Sequence, residues 1–191
     1  MVLFPYLTVN VEVLDEVPKI QKEPGMKIIG LISDTHIPSR ANKIPDKVFE
    51  IFKDADLIIH AGDLTQMDVI KELEQTAPVL AVHGNMDPHD VKAELPEFDT
   101  VKIHGRKIGV IHNPAALWGM NEMKRIAKEN NLDILVFGHT HKQFVKLEDN
   151  VLFINPGSVN DPLPPVLVKP TVGLIIITEE KIEPLIIKVD G

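Results

Sequence analysis

Short apolar runs alternate with polar clusters and helix-like stretches along most of this chain. The apolar runs have the length and composition of strands buried on both faces of a sheet, and they span residues 26–33, 56–60, 78–82, 107–111, 133–137 and 151–154. Apolar positions at helical spacing predict helices over residues 46–53, 67–73 and 117–128. Strands and helices that alternate in this order are typical of an α/β fold.

The two ends of the chain depart from this pattern. Residues 1–25 alternate only loosely and end in a polar break, so we interpret them as an appended segment, for which one edge strand is expected. A single domain is then expected over residues 26–191. Residues 172–178 and 182–189 predict a closing β-hairpin. The connection before the hairpin is expected to be rigid and exposed because it contains Pro162, Pro164, Pro165 and Pro170.

Composition and charge narrow the class of protein. The chain has 191 residues, a formal net charge of −8 and 44% hydrophobic residues, which fits one soluble globular domain. The absence of cysteine excludes disulfides, thiolate zinc sites and cysteine nucleophiles, and it favours a reducing, cytoplasmic location. The acidic balance argues against a surface for duplex nucleic acid. No apolar run approaches the roughly 20 residues of a membrane helix, and residues 1–13 lack the features of a signal peptide, so no membrane partner is expected.

Side chains with metal-binding or catalytic chemistry follow five of the apolar runs, where the predicted strands end. They belong to the segments Asp34-Thr-His36, Gly62-Asp63, Gly84-Asn-Met-Asp87, His112 and Gly138-His-Thr-His141. The carboxyl ends of parallel strands meet at one edge of a sheet, and residues i and i+2 of an extended segment point the same way. Each cluster alone is more often a helix cap or a turn. Five such clusters at one edge predict a binding site.

The residue types in these clusters predict divalent metal binding. Imidazole together with carboxylate suits borderline ions such as Mn, Fe, Ni or Zn better than Mg or Ca. The set is too large for one closed zinc site and suits two ions that share a carboxylate. The seven candidate ligands are Asp34, His36, Asp63, Asn85, His112, His139 and His141.

These motifs resemble those of the calcineurin-like metallophosphoesterase superfamily, and in particular its small single-domain prokaryotic phosphodiesterase branch. The resemblance covers residues 26–189 and implies a two-sheet α/β sandwich flanked by helices. It implies a first metal ion bound by Asp34, His36, Asp63 and His141. It implies a second ion bound by Asp63, as the bridging ligand, with Asn85, His112 and His139.

The sequence departs from the family pattern at two places. The fifth motif usually reads His-Gly-His, whereas here it is His112-Asn113-Pro114, so the metal ligand is present and the second histidine is absent. Larger family members place a catalytic histidine after the motif asparagine, but this chain has Met86, which cannot donate a proton. The leaving oxygen therefore has no obvious general acid, and turnover is expected to depend on the leaving group.

The expected activity is hydrolysis of a small phosphodiester by attack of a hydroxide that bridges the two ions. Two divalent ions, two carboxylates and one hydroxide leave a net charge of about +1, which suits a diester monoanion. Asn85 is a candidate contact to a phosphoryl oxygen. Arg40, in the loop after the first motif, is a candidate substrate contact, although an exposed loop arginine explains it as well.

Two other hypotheses compete with the phosphodiesterase. One is a scaffold or interaction module with little turnover, like the retromer subunit that resembles this fold but has lost some site residues. The presence of all seven ligands argues against it. A protein phosphatase is less favoured because Gly62-Asp63-Leu-Thr-Gln lacks the Asp-Arg continuation of that class. The physiological substrate, the native metal pair and the oligomeric state, a homo-oligomer included, stay open.

Several further residues have a structural and a functional interpretation. His60, His83 and His104 are expected to be structural histidines, with only His83 near the site, while His89 is expected to be solvated. Asp87 either orients a ligand or caps the following turn. The segment Asn155-Pro-Gly-Ser158 resembles the family's loop beside the active site, although a plain turn explains it too.

Overall fold

The computed structural model describes residues 13–113, 119–160 and 169–189, which form two β-sheets with helices on their outer faces. The described strands are β1 (Val13–Leu14), β2 (Lys27–Ile32), β3 (Leu57–His60), β4 (Val79–Ala81), β5 (Phe98–Ile103), β6 (Arg106–Ile111), β7 (Ile134–Val136), β8 (Phe144–Glu148), β9 (Val151–Asn155), β10 (Thr171–Ile177) and β11 (Ile182–Lys188). The described helices are α1 (Asp46–Phe52), α2 (Asp68–Leu73), α3 (His89–Glu94) and α4 (Gly119–Glu129).

The first sheet has the strand order β1-β11-β10-β2-β3-β4. Strands β2, β3 and β4 are parallel, and the antiparallel hairpin β10–β11 joins this group through β10 and β2. The second sheet has the order β5-β6-β7-β9-β8, with β6, β7 and β9 parallel and an antiparallel strand at each edge. The carboxyl ends of five parallel strands, β2, β3, β4, β6 and β7, are each followed by one of the predicted motifs.

The two sheets pack face to face over an aliphatic core. Ile29, Leu31 and Ile59 of the first sheet share one cluster with Val110 and Ile134 of the second. A second cluster joins the outer face of the first sheet to the helices α1, α2 and α3, and a third joins the outer face of the second sheet to α4. The strands at the centre are buried on both faces, which explains their continuous apolar sequences.

Close packing of a helix on the central strand depends on one glycine. A Cβ atom at Gly30 of β2 would lie 2.9 Å from the ring of Phe52, which is fully buried at the end of α1. The missing side chain lets α1 approach the strand that leads into the next loop. That loop carries the first motif.

The predicted architecture is confirmed as an α/β sandwich of two sheets flanked by helices, with a C-terminal hairpin. All six apolar runs form strands, and the three predicted helices are α1, α2 and α4. The strands β5 and β8 and the short helix α3 were not predicted. The proline-rich connection falls mainly on residues 161–168, which lie outside the described residues. No helix in the described part of the chain is long and apolar enough to cross a membrane.

The described part of the N-terminal segment lies against the sandwich. Val13 and Leu14 pair in parallel with β11, so the expected edge strand is present. Val17 and Ile20 pack against the apolar cluster on the outer face of the first sheet. The division of the chain into an appended segment and a domain stays a prediction.

Candidate metal centre

The predicted site residues meet at the seam where the two sheets face each other. The motifs after β2, β3 and β4 come from the first sheet, whereas His112 after β6 and His139 after β7 come from the second. The expectation of a single sheet edge is therefore wrong, because the carboxyl ends of both sheets contribute. The site is completed only when the two sheets are packed together.

The backbone of the motifs is not extended. Five of the seven candidate ligands have left-handed φ angles between 48° and 71°, namely Asp34, His36, Asp63, His139 and His141. The pairs Asp34/His36 and His139/His141 do face one site, as expected. The reason given for this, an extended backbone, is wrong. Left-handed φ angles are uncommon outside glycine and collect at functional sites, where they aim side chains that a regular strand would turn away.

Three side chains form the first group of potential ligands. The Oδ1 atom of Asp34 lies 3.2 Å from Nε2 of His141 and 3.9 Å from Nε2 of His36. The two imidazole nitrogens lie 3.3 Å apart. All three residues are buried, so these atoms face one another without room for much solvent.

A second group lies directly beside the first. The Oδ2 atom of Asp63 lies 3.2 Å from Nε2 of His112 and 3.9 Å from Nε2 of His36, so this carboxylate reaches toward both groups. The Oδ1 atom of Asn85 lies 3.1 Å from Nε2 of His112 and 2.9 Å from Nδ1 of His139. Asp34 also lies close enough to Asp63 and His112 to form a buried set of potential ligands with them. Asn85 is exposed, which leaves this side of the site open to solvent.

The unpaired atoms of the site fit a cation. Asp34 Oδ1 is buried and has no hydrogen-bond donor among the described residues, although a buried carboxylate oxygen without a partner is costly. Nitrogen and oxygen atoms converge there from five side chains, those of Asp34, His36, Asp63, His112 and His141. Imidazole with carboxylate is a donor set that divalent ions prefer.

Hydrogen bonds to the backbone orient the potential ligands. Nδ1 of His112 lies 2.7 Å from the carbonyl oxygen of Ala61, so Nδ1–H donates to it and the lone pair of Nε2 points into the site. The N–H of Met86 donates to Oδ1 of Asp63 over 2.7 Å, which leaves Oδ2 for the site. The N–H of His139 donates to Oδ2 of Asp34 over 3.1 Å and directs Oδ1 inward.

Asp87 ties the second motif to the third. Its buried carboxylate accepts backbone N–H groups from Asp63 at 3.0 Å, from Gly84 at 2.6 Å and from Thr65 at 2.6 Å. The carboxylate thus fixes the backbone on both sides of Asp63. Of the two roles considered for Asp87, the structure supports the orientation of a ligand, through the backbone of that ligand.

The loop after β9 supports the first and last motifs. Ser158 donates its hydroxyl hydrogen to the carbonyl of Asp34 at 2.9 Å, and Asn155 Nδ2 donates to the carbonyl of Gly138 at 2.7 Å. Asn160 Nδ2 donates to the carbonyl of Thr35 at 2.9 Å. The segment therefore lies beside the site, as the resemblance implied. Asn160 was missed, because nothing in the local sequence distinguishes a loop asparagine with this role.

Two glycines leave space that the ligands occupy. A Cβ atom at Gly84 would lie 2.1 Å from Oδ1 of Asp63, and one at Gly138 would lie 2.9 Å from Oδ2 of Asp34. Both distances are shorter than any real Cβ contact. The glycines of these motifs are therefore required for packing around the carboxylates.

Burial and charge set the protonation of the site. Burial lowers the pKa values of His36 and His139, and the nearby carboxylates oppose this shift only in part. Burial raises the pKa of Asp63, but the hydrogen bond and charge of His112 outweigh it, so the pKa lies below its usual range. Burial likewise lowers the pKa of His112, but Asp63 and Asp34 raise it above its ordinary value. Neutral imidazoles and an ionised carboxylate are the forms that bind metal ions.

The remaining candidate residues lie in different environments. Arg40 is exposed, and its positive charge acts on His36, which places it at the margin of the first group. His83 borders a small cavity together with Asn85 and His112. Met86 is 53% exposed beside Asn85.

Two other histidines differ from each other. His60 is fully buried, with Nδ1 accepting the N–H of Gly62 and Nε2 bonded to the hydroxyl of Thr35, so it is structural as expected. His104 lies exposed between β5 and β6, so the expectation of a structural histidine is wrong there, because the strand ends before it.

A buried cluster of Asp and His side chains lies between the two mixed sheets, on loops at the ends of their strands. This arrangement is typical of the class of metal-binding phosphoesterases. Residues 26–180 match the calcineurin-like phosphoesterase superfamily domain. The chain belongs to this family.

Individual relatives agree with this assignment. A probable metallophosphoesterase from Methanothermobacter thermautotrophicus is 41% identical over 162 residues, which are 84% of this chain and 92% of that protein. A phosphodiesterase from Methanocaldococcus jannaschii is 32% identical over 169 residues, which are 80% of this chain and 94% of that protein. Vacuolar Protein Sorting 29 from Cryptosporidium parvum has a similar fold, with a TM-score of 0.73 and 22% identity, covering 84% of this chain and 96% of that one.

Proposed function

We propose that this chain is a phosphodiesterase that binds two divalent ions and hydrolyses a phosphodiester through a hydroxide that bridges them. The observation that supports this most directly is the position of Asp63. Its Oδ2 atom lies 3.2 Å from His112 on one side and 3.9 Å from His36 on the other, where a carboxylate shared by two ions would lie. The 32% identical relative named a phosphodiesterase supports the choice of a diester.

The ligands divide between the two ions in this proposal. Asp34, His36 and His141 hold the first, with Asp63 as the shared ligand, and the second takes Asn85, His112 and His139. When bound, such a pair of ions activates water for attack on phosphorus and neutralises the charge that develops there. The nitrogen and oxygen donors of the site suit Mn, Ni, Fe or Zn.

The side chains of this chain have defined tasks in the reaction. The amide of Asn85 is exposed at the open side of the site, so its N–H₂ group can donate to a phosphoryl oxygen while its carbonyl oxygen faces His112 and His139. Arg40 supplies a positive charge near His36 and is proposed to contact the phosphate of the substrate. The carboxylates of Asp34 and Asp63 would balance two of the four positive charges of the two ions.

Replacement of Asp63 by Asn tests this proposal. The amide keeps the size of the side chain but removes the charge that two ions would share, so the variant is expected to lose at least one ion per chain and most of its activity. Elemental analysis of the gel-filtered protein measures the ions, and hydrolysis of bis(4-nitrophenyl) phosphate measures activity. Asp90→Asn, at an exposed position of α3, is the matched control. Two ions and full activity in Asp63→Asn would contradict the dinuclear arrangement.

A panel of substrates tests the choice of a diester. The proposal expects faster turnover of aryl diesters than of aryl monoesters, with cyclic nucleotides as a third class. The structural likeness to Vacuolar Protein Sorting 29 favours the interaction module as the second candidate function. Two bound ions without turnover of any member of the panel would support that module and contradict the phosphodiesterase.

A further inference from the structure

An apolar cavity of about 500 Å³ opens beside the candidate metal centre. We propose that this cavity is a substrate subsite for an apolar, ring-sized arm of the phosphorus ester. The proposal rests on the proposed function, because the metal centre would hold the phosphoryl group. It adds the chemical class of the substrate, since it requires one ester arm to be apolar.

Aromatic and thioether side chains form the floor of the cavity. Phe137 follows β7 and Phe144 begins β8, and their rings lie 5.9 Å apart at a tilt of 56°. Met123 of α4 lines the same cavity. Phe137 and Met123 are largely buried, whereas Phe144 is half-buried, so its ring presents apolar surface to a ligand. Tilted aromatic rings and a flexible thioether favour contact with another ring.

The cavity and the candidate metal centre share one residue. His139 lines the cavity, and its Nδ1 atom lies 2.9 Å from Oδ1 of Asn85 in the second group of ligands. A phosphoryl group held at that group would therefore lie beside a residue that lines the cavity. A pocket of about 300–1,000 Å³ that is mostly apolar, with few polar groups at one end, is typical of small-molecule sites.

Charge and polarity distinguish the apolar cavity from a second cavity beside the metal centre. The described residues that line the apolar cavity include Lys142 and no carboxylate, which favours an anionic ligand at the mouth. On the other side, His83, Lys92 and Glu97 line a smaller cavity of about 280 Å³ that also contacts Asn85 and His112. His139 lines the first cavity and His112 the second, with ring centroids 5.4 Å apart. The centre thus offers an apolar place for one arm of a diester and a more polar place for the other.

Two phosphonates with the same head group test the subsite. Phenylphosphonate and methylphosphonate differ only in the arm, so the ratio of their dissociation constants isolates the contribution of the cavity. Calorimetric titration of the metal-loaded protein, at a pH where both are dianions, is expected to show phenylphosphonate binding at least about tenfold more tightly, because the ring leaves water for the apolar cavity.

Variants locate the effect. Phe144→Ala is expected to bring the ratio to about two or less while the affinity for methylphosphonate stays the same. The control Phe49→Ala removes a half-buried ring from α1, on the outer face of the other sheet, and is expected to keep the ratio. A wild-type ratio near one, or a tenfold ratio that survives Phe144→Ala, would overturn the subsite while phosphonate binding still supports the function. Failure of both phosphonates to bind would contradict the proposed function, and the subsite with it.

If Phe144→Ala does not fold, the contact between ligand and cavity can be measured directly by nuclear magnetic resonance. In zinc-loaded protein labelled at the methionine methyl groups, the protons of phenylphosphonate are expected to show a nuclear Overhauser effect to Met123. Met86, which is exposed outside the cavity, is the internal control. Contact with Met86, or with neither methyl group, would overturn the proposal.

Discussion

At the scale of single residues, Asp87 is a positioning residue that acts on the backbone around a proposed ligand. It holds three backbone N–H groups, including that of Asp63, and an amide in its place presents one acceptor oxygen instead of a carboxylate. Asp87→Asn is therefore expected to weaken metal affinity by about 10- to 100-fold, as the loss of groups that orient metal ligands typically does. Metal titration followed by activity at saturating metal separates weakened binding from lost chemistry.

The exposed Asp90 provides the control for this change. Asp90→Asn removes the same charge three residues away and is expected to keep wild-type metal affinity. Unchanged metal affinity in Asp87→Asn, with circular dichroism showing a folded chain, would mean that the three N–H bonds do not position Asp63.

Met86 stands beside Asn85, where a proton donor would have to reach the leaving oxygen. General acid catalysis is typically worth about 10²–10⁴ in rate, and it matters most for poor leaving groups. Met86→His is expected to raise the rate on alkyl diesters more than on nitrophenyl diesters, at the same metal content. The comparison uses initial rates of both substrates for both proteins. Equal rates on the two substrate types in the unmodified protein would show that another residue, such as His83 in the adjoining cavity, already supplies the proton.

His60 makes the stability of the fold depend on pH. Full burial lowers its pKa to about 4, and Nδ1 already accepts the N–H of Gly62, so protonation of the folded state is disfavoured. In the unfolded chain this histidine takes up its proton near pH 6.5. The neutral, buried imidazole therefore contributes up to about 3 kcal/mol to the free energy of unfolding above that pH, and this contribution is lost as the pH falls toward 4. Urea unfolding of His60→Gln and wild type between pH 7 and 4.5 is expected to show a weaker pH dependence in the variant. The exposed His89→Gln is the control, and identical slopes for all three proteins would contradict the assignment.

At the scale of elements, β1 supports the fold without touching the metal centre. It covers the edge of β11, and Val17 and Ile20 bury apolar surface against the first sheet. Deletion of residues 1–25 is expected to lower the midpoint of thermal unfolding by several degrees and to leave activity on aryl diesters within about twofold. The uncovered edge of β11 is also expected to promote association, which light scattering measures. A folded but inactive deletion variant would contradict the separation of this segment from the site.

The elements that the sequence did not predict lie where burial is weakest. β5 and β8 are the edges of the second sheet, and none of their residues is fully buried. α3 has six residues and buries only Val91. An apolar pattern records burial, so central strands such as β2 were predictable, whereas edge elements held by hydrogen bonds to a neighbour left too few apolar positions to recognise.

At the scale of the whole molecule, the membership of the candidate site was more predictable than its construction. Polar clusters after apolar runs, read with the family resemblance, brought together Asp34, Asp63 and His112 in advance. The left-handed backbone at Asp34 and His139 was not predictable, because L-residues seldom adopt it and only the surrounding packing holds it in place. The need for glycine at position 84 was not predictable either. It arises because the carboxylate of Asp63, from a distant segment, occupies the space of a side chain there.

The seam between the sheets has a consequence for how the protein matures. The first sheet supplies both carboxylates, one imidazole and the amide of Asn85, and the second supplies imidazoles only, so the full set of seven potential ligands forms only when both sheets are in place. Bound ions would therefore cross-link the two sheets, each of which has its own hydrogen bonds between strands. Tight binding of the ions would therefore indicate that the two sheets have packed together. A nascent chain with only one sheet formed would bind the ions more weakly. Removal of the ions would leave the aliphatic core between the sheets to hold them together.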